Sequence, residues 1–69
     1  MSVAKVTEIT SASKTSLEDA ISSGIARADK TLDKIKGAWV QQITVECDDG
    51  KITEWRVNMK VTFVLKDDE

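Results

Sequence analysis

The sequence predicts an α+β domain of order β–α–β–β, a three-stranded antiparallel sheet packed on one long helix. Three observations predict it. Apolar residues recur at steps of three and four between Ser16 and Lys36. Residues from Trp55 to Leu65 alternate regularly between apolar and polar. Asp48-Asp49-Gly50 is a tight-turn signal joining that run to a preceding β-rich segment. With 69 residues and no proline, repeat or low-complexity tract, the chain reads as a single domain over residues 1–69.

The first strand is expected at Val3–Thr10, where β-branched residues concentrate and the imperfect alternation suits an edge strand. A polar run, Ser11 to Ser16, then offers several helix caps. Thr15 with Glu18 three residues on fits a capping box, and Ser13 is a rival cap. The helix is expected from Ser16 to Lys36, its stripe made by Leu17, Ala20, Ile21, Gly24, Ile25, Ala28, Leu32 and Ile35. Glu18 and Asp19 suit the positive end of the helix dipole, and Lys34 and Lys36 suit the negative end. Gly37 reads as the stop. The second strand is expected at Ala38–Cys47, with Trp39, Ile43, Val45 and Cys47 on one face. In the last strand Trp55, Val57, Met59, Val61, Phe63 and Leu65 point inward, and Glu54, Arg56, Asn58, Lys60 and Thr62 point outward.

Lengths then set a constraint. A helix of about 20 residues is ~30 Å long, whereas a strand of about 14 residues extends ~45 Å. One helix cannot shelter the last strand from end to end. The overhang, expected around Phe63 and Leu65, calls for self-association.

Composition narrows the chemistry. There is no histidine, which removes the commonest general base and transition-metal ligand. One cysteine, Cys47, excludes an intrachain disulfide and a paired-cysteine zinc site; it falls on the apolar alternation and reads as a small core residue. Ten basic and twelve acidic residues give a net charge of −2, against a nucleic-acid partner. No apolar run spans a bilayer and no signal peptide is evident, so the expected location is the cytoplasm. A nucleophile without a basic partner makes an enzyme a poor reading. Glu46, Asp48 and Asp49 cluster at the hairpin, and Asp67, Asp68 and Glu69 close the chain; such oxygen donors suit calcium or magnesium, although turn formation by Asp48 and Asp49 and a solubilising tail are the favoured explanation. Trp39, at a loop–strand junction, could pack at an interface or stack on a planar ligand.

The first strand Val3-Ala4-Lys5-Val6, the helix entry Ser11-Ala12-Ser13, the segment Ala26 to Leu32 and the closing strand Val57 to Leu65 together resemble the dodecins. The resemblance implies a hollow dodecameric shell of β–α–β–β subunits that binds flavins such as riboflavin or FMN. In flavin-binding dodecins a tryptophan just after the helix stacks on the isoalloxazine ring and a glutamine on the last strand bonds its polar edge. An ungapped match puts Gly37 at the tryptophan position and Arg56 at the glutamine position, so both are changed. Arg27 and Lys30 fall on the helix segment that contacts coenzyme A phosphates in some dodecins, with Asp29 in place of a basic residue. The expected function is therefore non-enzymatic small-ligand binding or storage with a degraded flavin pocket. The alternative is a cation-stabilised dodecin-like assembly that binds no flavin. Trp39 is the candidate substitute platform.

Overall fold

A computed structural model describes residues 3–32 and 34–65. The elements are β1 (Ala4–Ser13), α1 (Leu17–Asp29), β2 (Ile35–Asp48) and β3 (Lys51–Val64). They form a three-stranded antiparallel sheet in the order β1–β3–β2. The expected fold class holds. Asp33, Asp67, Asp68 and Glu69 lie outside the described residues.

The hairpin turns at Asp49 and Gly50, whose φ angles of 55° and 77° are both left-handed. That backbone matches the twist of the flanking strands and explains the Asp-Gly pair. β3 is thereby placed centrally, and its apolar alternation becomes the core. Val57, Met59 and Val61 are fully buried, and Val57 and Met59 cluster with Ala20 of α1. The helix meets them with Ala20, Gly24 and Ala28, every fourth residue and all small. Ile9, Leu17, Ile21, Ile25 and Val40 close the cluster.

Ser16, not Thr15, caps the helix: its hydroxyl accepts from the Asp19 backbone N–H at 2.9 Å. Ser13 works one step earlier. Its nearly buried hydroxyl accepts from the Thr15 N–H at 2.9 Å and donates to Asp19 Oδ2 at 2.6 Å. The Thr15–Glu18 box gives way because two serines already occupy the turn and share Asp19.

The helix stops at Asp29, well short of Lys36. Its last turn tightens onto Arg27 and Ala28, whose carbonyls accept from Lys30, Thr31 and Leu32. Lys34 then takes a left-handed φ of 52° and the chain reverses. Ile35 pairs with Phe63 and Gly37 with Thr62, so Gly37 lies within β2 and is not the helix stop. The apolar stripe continued through Leu32 and Ile35, but strand pairing satisfies the backbone of β3 as well, and that outweighs local helical preference.

β2 also departs from its expected phase. Its register slips between Ile35 and Gly37, Val40 and Gln42, and Glu46 and Cys47. The irregularity at Gln41 reverses the alternation. Ala38, Val40, Ile43 and Val45 pair with the core residues of β3, whereas Trp39, Gln42 and Thr44 pair with its outward residues. Trp39 therefore lies across the sheet from Ile43 and Val45, contrary to the expected shared face.

α1 packs on β1 and β3 and is about 20 Å long, against about 47 Å for β3. The overhang is larger than expected and falls mainly at the hairpin end, where Ile43, Val45 and Ile52 are exposed. Cys47 is exposed as well, because no second layer reaches this end to make it a core residue. Among the described residues no helix is long and apolar enough to cross a membrane.

Candidate functional site

The sheet face opposite α1 collects the polar side chains in rows. Glu8, Lys60 and Trp39 share one row; Thr10, Asn58 and Gln42 the next; Ala12, Arg56 and Thr44 the third. Gly37 and Thr62 lie one row beyond Trp39. Trp39 is 66% exposed, and Lys60 Nζ stands 5.9 Å from its ring centroid. Asn58 Nδ2 donates to Thr10 Oγ1 at 3.3 Å, which leaves its carbonyl oxygen as an acceptor facing solvent.

Arg56 is already engaged. Its Nη2 donates to Glu54 Oε2 at 2.6 Å and to Glu46 Oε2 at 3.0 Å. The hydrogen bond with Glu54, then the charges of Glu46 and Glu54, raise the guanidinium pKa above its usual value. These ion pairs are solvent-exposed and hold little energy, but they cancel the charge that Arg56 would offer a ligand. Beside it lies a shallow depression of about 170 Å³, bordered by Thr10, Gln42, Thr44 and Asn58.

The structure brings Gly37, Trp39 and Arg56 onto one face and keeps Arg27 and Lys30 away from it. Arg27 lines a separate groove of about 460 Å³ between α1 and β1, with Thr7, Ser11, Ser23 and Thr31; Lys30 is exposed beyond the helix end and does not line it. Glu46 is bound to Arg56, Asp48 sits in the last ladder pair with Lys51, and Asp49 holds the turn. Among the described residues no three acidic or thiol groups converge as a cation site.

The sequence reading missed Lys60 and Gln42 as neighbours of Trp39. Regular alternation in β3 placed Lys60 on the correct face. The irregularity in β2, which moves Trp39 to the same face, has no residue signal such as a glycine or proline at Gln41.

The dodecin family model matches residues 3–66. No curated protein matches. Among solved structures, dodecin from Streptomyces davaonensis is similar at 35% identity and a TM-score of 0.88, covering 96% of this chain and 97% of that one. A Thermus thermophilus protein is similar at 31% identity and a TM-score of 0.90, covering 97% of this chain and 98% of that one. A calcium dodecin from Mycobacterium tuberculosis, described as a calcium-chelating antigen with a novel calcium-binding site, is similar at 32% identity and a TM-score of 0.77, covering 97% and 96%. With its strand order, its single crossing helix and nearly its whole length accounted for in this way, the chain belongs to the dodecin family.

Proposed function

We propose that this chain is a non-enzymatic binding protein that assembles into a dodecameric shell and holds a planar, flavin-type ligand on the open sheet face. The observation that carries the reading is the position of Trp39. Its exposed indole lies on the same face as Gly37 and Arg56, one row nearer to Arg56 than Gly37 is. It can therefore act as a stacking platform without any change in strand register. Gln42 and Asn58 supply donors and acceptors for a ring edge in the adjoining row. Storage by sequestration needs only such surfaces, made concave by neighbouring copies, so the missing histidines cost it nothing.

One platform in place of the family's tryptophan at position 37 gives weak binding, since an aromatic stack is worth about 0.5–1.5 kcal/mol. Titration of the apo protein with riboflavin is expected to quench both tryptophan and flavin fluorescence. Trp39→Ala is expected to weaken binding roughly tenfold, which corresponds to about 1.4 kcal/mol. Unchanged riboflavin fluorescence at micromolar protein would remove the flavin reading.

Assembly follows from the uncovered apolar residues at the hairpin end and from two free strand edges. Sedimentation velocity is expected to give a single large particle, with and without a chelator. A folded lone subunit would overturn the shell. Dissociation by the chelator would instead favour the cation-stabilised alternative, with carboxylates of Glu46, Asp48 and Asp49 gathered from several copies. The exposed, unpaired thiol of Cys47 suits the reducing cytoplasm, where we place the protein.

A further inference from the structure

We propose that Lys60 selects ligands by charge, making the Trp39 face favour a planar ligand that carries an anionic group over the same ring without one. This rests on the reading of Trp39 as the stacking platform.

Two cations flank the middle rows of this face. Arg56 sits between Glu54 and Glu46, and the three charges sum to one excess negative. A ligand approaching Arg56 therefore meets a weakly acidic patch. Lys60 is different. Its ammonium stands over the Trp39 ring at 5.9 Å, and among the described residues no carboxylate lies within ion-pair distance of it. Glu8 is its register partner on β1, across the strand from Trp39.

A ring that stacks on Trp39 meets this ammonium in one of two ways. It displaces Lys60 from the indole face, losing the attraction between the cation and the ring quadrupole, or it settles beside the ammonium and strips part of its hydration. A neutral ring returns at most an ordinary hydrogen bond from the ammonium to a ring carbonyl. A phosphate or carboxylate on the ligand returns a charge-assisted hydrogen bond, and the four-carbon lysine stem lets the ammonium follow it. Both of Arg56's bonds to the glutamates come from Nη2, so it keeps free donors, but an anionic group brought there meets the excess negative charge of Glu46 and Glu54.

The test uses two probes with the same ring and tail, riboflavin and FMN, which differ by one phosphate. Each is titrated against the assembled wild-type protein and against Lys60→Met and Lys60→Arg, at low and moderate salt. Wild type is expected to bind FMN about fivefold more tightly than riboflavin at low salt, with the preference shrinking as salt is added. Lys60→Met is expected to bring the ratio to about one, chiefly by weakening FMN, while Lys60→Arg keeps it. Particle size by sedimentation shows that each variant is assembled. An unchanged ratio in assembled Lys60→Met overturns the selector role and leaves the platform standing. Failure of wild type to bind either probe overturns the platform and the selector together.

Discussion

Alanine in place of Gly24 is expected to lower the unfolding free energy by about 1 kcal/mol, and valine by about 3 kcal/mol, at fixed protein concentration. Alanine is the better helix former by roughly 1 kcal/mol, so a sequence-level reading expects the opposite sign. The geometry decides it. A Cβ at Gly24 would lie 2.8 Å from Ser11 Cβ, 3.0 Å from Met59 Cε and 3.1 Å from Ser11 Oγ. Met59 can yield, since Cε ends a flexible chain. Ser11 Cβ cannot, because it is fixed to β1, and β1 is tied to β3 along its length. The helix must lift off the sheet, and Val57 and Met59 lose contact beneath it. An overpacking cost of about 2 kcal/mol for alanine exceeds the helix-propensity gain. Valine adds two methyl groups at the same place and forgoes most of that gain. Chemical denaturation checks the order wild type, alanine, valine. Ser11→Gly in the alanine background removes the clashing atom, so a double-mutant cycle should show favourable coupling. An alanine variant as stable as wild type, with no coupling to Ser11, would show that the close approach of α1 is unimportant.

What the residues revealed beforehand depended on how each segment is paired. β3 was legible residue by residue, because it lies in the centre, buries one face and keeps an unbroken ladder with β1 from Trp55 to Val64. Its phase could only be read one way. β2 was not, because it is an edge strand whose register slips three times; the extra residues Lys36 and Gln41 shift its side-chain phase, and Gln41 has no glycine or proline beside it to mark the change. The helix end was hidden for a related reason. Leu32 and Ile35 fit the apolar stripe, and only the pairing of Ile35 with Phe63 shows that the chain has already left the helix. The site inherits this division. Arg56 and Lys60, on β3, were assigned to the correct face from alternation alone, whereas the placement of Trp39 beside them required the register. Glu46 shows the limit of reading charges from sequence: it clusters with Asp48 and Asp49 along the chain, but in space it serves Arg56.

The second large effect is a gain. Gly37→Trp is expected to tighten riboflavin binding about tenfold, equivalent to about 1.4 kcal/mol. Nothing lies within 4 Å of a Cβ built at Gly37, and its backbone does not demand glycine, unlike Gly50 at a φ of 77°. An indole there extends over the open face from the row shared with Thr62. It stands two residues, about 7 Å, from Trp39 along the strand. Tryptophan also suits a strand better than glycine does, so stability should hold or rise slightly. Arg56→Gln in the same background replaces a guanidinium that only donates with an amide that donates and accepts, which suits the carbonyl and imide edge of a flavin. That second change is expected to add to the first. Trp39→Ala in the Gly37→Trp background then separates the two platforms. Retained tight binding places the ring on the indole at position 37, the position of the stacking tryptophan in flavin-binding dodecins; lost binding keeps it on Trp39. If Gly37→Trp assembles normally and riboflavin affinity stays at the wild-type level, position 37 does not face the ligand, and the ungapped correspondence with flavin-binding dodecins fails at this site.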